Sequence, residues 1–361
     1  MTIDKTISLI IPTYNERDNI IPLVERIHHA LSGYNYRILF IDDDSKDGTA
    51  EIATTLSQKY PISIIVRKNK RGLASAVVDG LNHADGEIIG VMDADLQHPP
   101  EVLPDLIRAI NDGADMAIAS RYVRGGGCQE WGLARRVISK GAIFLAHVLL
   151  PPTRQIKDPM AGFFVFKRRA IAKANLNPTG YKILLEVLIE GKFQSVAEVP
   201  YTFRTRTRGE SKLKARTQID YLKHIYSLMK RSGELVRFLK FCLVGGSGIG
   251  VDEGMLYLLS DMVRITPLEL ASTLSAETAI ITNFTLNDVF TFRDRRSPGM
   301  KARVNRLLKF NLVSLAGLGI KVGIFSLLYQ VAGVHYLLAN LCGIAVAALW
   351  NYTFSTWWTW R

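Results

Sequence analysis

The sequence has few cysteines and lacks several familiar ligand-binding loops. Its three cysteines, Cys128, Cys242 and Cys342, lie far apart without C-x-x-C spacing, which argues against a disulfide framework and a cysteine-based zinc site. Neither G-x-x-x-x-G-K-[ST] nor a G-x-G-x-x-G following a strand is present, which disfavours an NTPase or a dinucleotide oxidoreductase. The first apolar run is short and is followed at once by Pro and Asn, so no signal peptide is predicted.

Acidic residues are outnumbered. The 361 residues include 45 Lys and Arg against 33 Asp and Glu, which gives a net charge of +12. Such an excess suits a phosphate-rich ligand, nucleic acid or an anionic membrane surface. Much of it flanks apolar segments, and no nucleic-acid recognition motif is found, so we expect no nucleic acid among the partners.

The N-terminal part has the rhythm of an α/β fold. Short runs rich in Ile, Val and Leu alternate with helix-like segments, which predicts βαβ units and a mostly parallel sheet buried on both faces. The predicted strands are 7–12, 37–42, 63–67, 87–93 and 115–120, and the predicted helices are 18–31, 49–59, 73–84 and 100–111.

The C-terminal part is apolar. Its four apolar segments, 238–259, 268–292, 307–331 and 335–358, are each long enough for the ~20-residue helix that crosses a bilayer. The loop between the second and third segments is basic, so the positive-inside rule predicts a multi-pass protein of the cell membrane with both termini in the cytoplasm. The predicted domains are residues 1–214 (cytosolic, α/β), 215–236 (amphipathic linker helix) and 237–361 (transmembrane).

The apolar part contains an internal repeat. RFLKFCLVGGSGIGVDEGMLYLL from Arg237 aligns with RLLKFNLVSLAGLGIKVGIFSLL from Arg306, which predicts two repeated helical hairpins. The alignment sets Asp252 opposite Lys321, both within apolar helices, where an unpaired charge is costly. We therefore expect an ion pair between the repeats, with snorkelling or water contact as the alternative.

The stretch VMDADLQHPP, residues 91–100, places two carboxylates at the end of a predicted strand. Open α/β sheets bind ligands at this edge. A turn at Ala94 would bring Asp93 and Asp95 towards one divalent ion, and hard oxygen ligands suit Mg²⁺ or Mn²⁺. The alternative is a turn or helix-capping role for Asp95, because D-x-D is a common tripeptide.

The first two strands end in IPTYNE and IDDDSKDGT, so more polar groups converge on the same edge. A nucleotide would fit there, and Asp44–Gly48 is also suited to an Asx-type turn that caps the next helix. The candidates are Tyr14 for the base, one of Asp42, Asp43 and Asp44 for the base or ribose, and Lys70, Arg71 and Gly72 for phosphate.

Six ordered motifs, IPTYNE, IDDDSKDGT, MDADLQHPP, SRY, KDPMAGFF and RTRGESK, resemble those of family 2 glycosyltransferases of the GT-A fold. The resemblance covers Thr6 to Ser232 and is strongest to the dolichyl-phosphate mannose synthases, while the membrane part resembles a GtrA-like domain. It implies a metal-dependent, inverting transfer of mannose from GDP-mannose to dolichyl or another polyprenyl phosphate at the lipid bilayer. Assembly of the chain into a homo-oligomer is compatible with this function.

The resemblance also implies residue roles. It places Pro12, Tyr14, Glu16, Ile41 and Asp43 around the nucleoside, and Asp93, Ala94, Asp95 and Gln97 around the diphosphate, with Asp93, Asp95 and Gln97 as ligands of Mg²⁺ or Mn²⁺. It places Arg121, Lys182, Arg206 and Lys212 near sugar or phosphates, and Arg135 (or its neighbour Arg136) and Ser139 at the lipid phosphate. The implied catalytic set is Asp93, Asp95, Arg121, Arg135, Ser139 and Arg206.

Two basic, amphipathic segments, Leu133–Leu150 and 216–230, have the composition of helices that lie in the membrane interface, and an ordinary surface helix is the alternative for the second. The loop RTRTRGESK between them is a candidate gate over the donor. Competing readings are a polyprenyl-phosphate glucosyltransferase using UDP-glucose, and a transporter with a nucleotide-sensing head. A processive polysaccharide synthase is disfavoured because no Q-x-x-R-W-type motif is present.

Overall fold

The structure is a computed structural model that describes residues 6–129, 131–177, 181–204 and 215–361. The chain divides into two compact units, Met1–Ser232 and Gly233–Arg361. The three cysteines are free thiols, as their spacing predicted.

The first unit is built on a seven-stranded sheet of order β3-β2-β1-β4-β7-β5-β8. Only β7 runs antiparallel to its neighbours, so the predicted α/β class with a mostly parallel sheet is confirmed. Its strands are β1 (Ile7–Thr13), β2 (Tyr36–Asp42), β3 (Ile62–Val66), β4 (Ile88–Val91), β5 (Met116–Ser120), β7 (Phe164–Lys167) and β8 (Val196–Pro200). A separate two-stranded ladder pairs β6 (Gly127–Cys128) with β9 (Thr202–Phe203).

Two apolar clusters cover the two faces of this sheet, because the central strands carry branched residues on both sides. The strand β1, for example, buries Ile7, Leu9 and Ile11 in one cluster and Ile10 in the other. The helices of this unit are α1 (Arg17–Ala30), α2 (Thr49–Leu56), α3 (Leu73–His83), α4 (Leu103–Asn111), α5 (Leu133–Leu149), α6 (Ile183–Glu190) and α7 (Ala215–Arg231).

The second unit consists of two helical hairpins, in which α8 packs along α9 and α10 along α11. The helices are α8 (Glu234–Tyr257), α9 (Leu268–Leu286), α10 (Met300–Ser326) and α11 (Tyr336–Phe354), and each continues into a five-residue π-helical turn. Among the described residues, two helices, Met300–Val331 and Tyr336–Thr359, are long and apolar enough to cross a membrane. The first hairpin carries more carboxylates than the second, among them Asp252, Glu253, Glu269 and Glu277.

The expected ion pair between Asp252 and Lys321 is wrong. Asp252 Oδ1 accepts a hydrogen bond of 2.7 Å from Ser275 Oγ on α9, and Lys321 packs beside Gly343 on α11. Each charged side chain therefore has its neighbours within its own hairpin, and the two described residues form no salt bridge with each other.

The repeat is visible in a shared glycine–asparagine contact. In the first hairpin the side-chain amide of Asn283 lies against Gly248, and in the second that of Asn351 lies against the equivalent Gly317. A Cβ on either glycine would overlap the amide. Small residues at these positions therefore set how closely the two helices of each hairpin approach.

We expect Gly248→Ala and Gly317→Ala each to destabilise the second unit by about 1–3 kcal/mol, because the added methyl group overpacks the helix contact. Thermal unfolding of the purified protein in detergent measures this change. Gly250→Ala and Gly319→Ala are matched controls, since a Cβ there meets no atom within 4 Å. Equal melting temperatures for all four variants would contradict the assigned contact.

Candidate active site

The site lies where β1, β2, β4 and β5 end, at one edge of the sheet. Three residues just beyond these strands have left-handed backbone conformations: Asn15 (φ 55°), Asp44 (φ 56°) and Leu96 (φ 61°). Asn and Asp tolerate this region, whereas it costs roughly 1–2 kcal/mol for a residue such as Leu. Backbone strain of this kind is found preferentially at functional sites.

The carboxylate pair follows β4. Asp95 is buried, and its Oδ1 accepts a hydrogen bond of 3.1 Å from the Gln97 backbone N–H. This bond is the turn role considered as the alternative from the sequence. Asp93 is more exposed, with its Oδ2 3.6 Å from His98 Nδ1.

His98 is buried behind Asp93 among the rings of Phe163, Tyr201 and Phe203. Its Nδ1 accepts a hydrogen bond from the Asp93 backbone N–H at 3.4 Å. Burial lowers the pKa of His98 to about 4, so the imidazole is neutral at physiological pH. His98 thus supports the Asp93 backbone without adding a positive charge.

Gly162 completes the wall behind the pair. A Cβ at this position would lie 3.0 Å from Asp93 Oδ2 and 3.1 Å from His98 Cε1. Only a glycine lets the backbone of the KDPMAGFF motif approach Asp93 this closely.

Asp93, Asp95 and Gln97 have the donor chemistry for Mg²⁺ or Mn²⁺. Gln97 Nε2 donates to the Arg204 carbonyl oxygen at 3.0 Å, which leaves the amide oxygen as the remaining acceptor of that side chain. Nowhere in the described ranges do three or more His, Cys, Asp or Glu side chains group to hold a metal. Two carboxylates with further oxygen ligands from substrate phosphate and water are the usual environment of Mg²⁺, so this set fits such an ion.

Arg121, from the SRY motif, is fixed by a bidentate ion pair with the fully buried Asp158. Arg121 Nε and Nη2 each donate to the carboxylate at 2.7 Å, and the Arg121 backbone N–H donates to Oδ2 at 3.1 Å. Burial disfavours the charge, but the bonds to Asp158 outweigh this effect and raise the pKa of Arg121. Glu198 holds Asp158 in turn, by accepting its backbone N–H at 3.0 Å.

A second cation, Lys182, stands beside this pair. Its Nζ donates to the Met160 carbonyl oxygen at 3.0 Å. Desolvation, followed by the nearby charge of Arg121, lowers the pKa of Lys182 to about 8. The motif KDPMAGFF therefore contacts three site residues, through Asp158, the Met160 carbonyl and Gly162.

Aromatic rings surround the arginines. The Arg121 guanidinium carbon lies 5.5, 5.3 and 5.6 Å from the ring centroids of Tyr122, Trp131 and Phe203. Arg135, on the first turns of α5, lies 4.3 Å from the Trp131 centroid. The hydroxyl of Tyr122 donates to Ser139 Oγ at 2.9 Å.

On the side of β1 and β2, the three consecutive aspartates have different surroundings. Asp42 is held within the loop by Thr13 Oγ1 at 2.8 Å and by Ser45 Oγ at 2.6 Å, and half-buried Asp44 pairs with Lys46. Asp43 accepts the Gly72 backbone N–H at 2.8 Å. Its Oδ1 lies 3.4 Å from the buried Arg67, and burial raises the pKa of Asp43.

The remaining predicted residues divide into three groups. Tyr14 stacks under the Arg71 guanidinium at 4.9 Å, and the Glu16 backbone N–H donates to Thr49 Oγ1. Ile41 and Ala94 are buried core side chains and Pro12 is half-buried, so Ile41 and Ala94 would meet a nucleotide through their backbones. Arg206, Lys212 and the RTRTRGESK loop lie outside the described residues.

Two apolar stripes flank the site. The helix α5 exposes Leu133, Val137 and Phe144, although Arg135 and Ser139 on its other side are half-buried. The helix α7 exposes Ile219, Leu222 and Tyr226, and it is tied to α5 by a 2.6 Å bond from Tyr221 Oη to the Ala142 carbonyl oxygen.

A buried carboxylate anchors α7. Glu186 on α6 is fully buried and pairs with His224 at 3.1 Å and with Arg231 at 2.6 Å. Although burial alone would raise it, these two partners and the Asn177 backbone N–H hold the pKa of Glu186 below its usual value of 4.5.

Some of these residues were not predicted as site residues. Asp158 and Gly162 lie in KDPMAGFF, His98 follows Gln97, and Trp131 precedes α5. Asp158, Gly162 and His98 lie in motifs that were visible in the sequence, but the contacts that give these residues their roles are formed by the fold.

The fold is that of a glycosyltransferase of the GT-A class, joined to a helical membrane domain. Residues 8–174 match the family "Glycosyl transferase family 2", and residues 240–360 match "GtrA/DPMS, transmembrane domain". In a solved structure, glucosyl-3-phosphoglycerate synthase from Mycobacterium tuberculosis with Mn²⁺ and UDP has the same fold, at 19% identity and a TM-score of 0.51, covering 64% of this chain and 81% of that one.

Two relatives found by sequence similarity identify the family more narrowly. A dolichol-phosphate mannosyltransferase of Pyrococcus furiosus is 48% identical over 354 residues, which are 98% of this chain and 99% of that protein. The Saccharomyces cerevisiae enzyme of the same name is 38% identical over 250 residues, covering 65% of this chain and 92% of the yeast protein. The chain belongs to the dolichol-phosphate mannosyltransferase family and is a membrane protein.

The Glu186 anchor predicts a pH dependence of stability. A carboxylate whose pKa is depressed by folding stabilises the folded state above its unfolded pKa, and this contribution disappears as the pH falls through the folded value. Glu186→Gln is therefore expected to lower the melting temperature at pH 7, with the difference from wild type shrinking below about pH 4.5. Thermal unfolding from pH 7 to pH 4 measures it, and a difference independent of pH would contradict the assignment.

Proposed function

We propose that this enzyme transfers mannose from GDP-mannose to dolichyl or another polyprenyl phosphate, with inversion at the anomeric carbon. The observation that carries the proposal is the convergence of the Asp93–Asp95 pair with the cations Arg121, Arg135 and Lys182 on one sheet edge. The names of the relatives supply the sugar and the class of acceptor.

The chemistry suits a phosphate acceptor. A polyprenyl phosphate is already anionic at neutral pH, so its oxygen attacks the anomeric carbon without a general base while GDP departs. Bringing an anionic acceptor to an anionic donor is the harder problem, and fixed positive groups solve it through electrostatic stabilisation and positioning.

Each residue then has a role. Asp93, Asp95 and Gln97 hold the Mg²⁺ or Mn²⁺, which when bound neutralises charge on the diphosphate leaving group. Arg135 and Ser139 bind the acceptor phosphate, and Arg121 and Lys182, with Arg206 and Lys212, act at sugar or phosphates. Asp43 and Tyr14 bind the nucleoside, with Pro12, Glu16, Ile41 and Ala94 lining its pocket.

The apolar stripes of α5 and α7 bring the site to the lipid. A polyprenyl tail stays in the bilayer, so the acceptor phosphate is reached only from the headgroup region. Exposed Leu133, Val137 and Phe144 beside half-buried Arg135 and Ser139 give α5 a lipid-facing side and a phosphate-facing side. The proposed arrangement has the first unit and both termini in the cytoplasm and four helices in the membrane.

The donor is tested by sugar transfer with purified, detergent-solubilised protein, a polyprenyl phosphate and Mn²⁺. We expect product from GDP-mannose and none from UDP-glucose. A glucosyl product from UDP-glucose would move the enzyme to the glucosyltransferase branch, and transfer from neither donor would overturn the proposed function.

Asp95→Asn tests the metal role, because it preserves the size of the side chain and the acceptor for the Gln97 backbone N–H. We expect at least a ~100-fold loss of transfer, the range found when one preorganised electrostatic group is removed. The melting temperature serves as a folding control. Near-normal turnover of a folded Asp95→Asn protein would rule out the metal role.

A further inference from the structure

Trp131 lies between the two arginines that the proposed function uses. Its ring centroid is 5.3 Å from the guanidinium carbon of Arg121 and 4.3 Å from that of Arg135. The negative faces of an indole attract cations, and Trp is the strongest of the aromatic residues in this respect. One half-buried ring thus holds two like charges near each other.

The two arginines are not held equally. Arg121 is locked by its bidentate bonds to Asp158, so its position does not depend on the ring. Arg135 projects from the first turns of α5 and has the shorter distance to Trp131. Loss of the indole would therefore leave the bonds of Arg121 to Asp158 intact, whereas Arg135 would lose its cation–π contact.

A second aromatic residue, Tyr122, contacts α5 one helical turn beyond Arg135. Tyr122 Oη donates to Ser139 Oγ at 2.9 Å. A serine oxygen that accepts this bond still has its own hydrogen to give, so the Ser139 hydroxyl remains a donor for an anion. Arg135 and Ser139 are four residues apart and share one face of α5.

We propose that Trp131 and Tyr122 are positioning residues for the acceptor phosphate. Trp131 orients the Arg135 guanidinium and Tyr122 orients the Ser139 hydroxyl, so that two donors from one helix face converge on the same phosphate group. This inference rests on the proposed function for the acceptor, but not on the identity of the donor sugar.

The consequence is a selective effect on the acceptor. Trp131→Leu keeps an apolar side chain and removes the ring, so we expect the KM for polyprenyl phosphate to rise about tenfold, as for loss of a partly desolvated cation–π contact. The KM for GDP-mannose should stay within about twofold of wild type, because Arg121 keeps Asp158. Trp131→Phe retains an aromatic face and should recover most of the affinity.

The experiment combines steady-state kinetics with direct binding. Each KM is measured with the other substrate saturating, and the Kd for a short-chain polyprenyl phosphate is measured without donor by calorimetry in detergent. Trp131→Leu is also made in an Arg135→Gln background, where it should cause no further change if it acts through Arg135. Tyr122→Phe should weaken acceptor binding about threefold to tenfold, as for one hydrogen bond, with half-buried Tyr34→Phe as its matched control.

Two sets of outcomes separate this inference from the proposed function. If wild type binds the lipid phosphate but transfers no mannose, the donor proposal fails and the Kd values still test the positioning role. If wild type is active and Trp131→Leu leaves the acceptor KM and Kd unchanged, the inference is overturned. An equal rise in both KM values, or an additive loss in the Arg135→Gln background, would overturn it as well.

Discussion

The buried ion pair between Arg121 and Asp158 is the contact on which the rest of the site depends. Arg121 follows β5 and Asp158 precedes β7, and β7 lies between β4 and β5 in the sheet. The pair therefore joins the loops of neighbouring strands. Removing one partner of a buried pair leaves an uncompensated charge and typically costs about 3–5 kcal/mol. The motif KDPMAGFF, which contains Asp158, continues to Gly162 behind Asp93. On the other partner of the pair, the ring of Trp131 contacts both Arg121 and, on α5, Arg135.

This arrangement brings charges of both signs to one sheet edge. The acidic pair has His98 behind it, which is neutral at physiological pH and adds no positive charge there. Arg121, Lys182 and Arg135 lie at the same sheet edge, and Lys182 is close enough to interact electrostatically with Asp93. Arg121 is bound to the buried Asp158, whereas Arg135 contacts the ring of Trp131, and the proposed function places Arg135 at the acceptor phosphate.

The sequence predicted the elements whose signal is local. Strands such as 7–12 and 37–42 are nearly unbroken apolar runs, and the end of such a strand locates Asp93 and Asp95. It did not predict β7, because this short strand is inserted antiparallel and interrupts the βαβ rhythm. Nor did it predict the role of Asp158, whose partner Arg121 lies 37 residues away, or that of Trp131, whose contacts with Arg121 and Arg135 form only in the folded loop. The Asp252–Lys321 pairing failed because a repeat relates equivalent positions without bringing them into contact.

The most direct test of the account is the anomeric configuration of the product. The account requires a single displacement, in which the acceptor phosphate oxygen forms its bond as the bond to GDP breaks, with no covalent sugar on the protein. NMR of the purified lipid product made from GDP-α-mannose measures the configuration. The account predicts a β-linked mannosyl phosphate, and an α-linked product would contradict it.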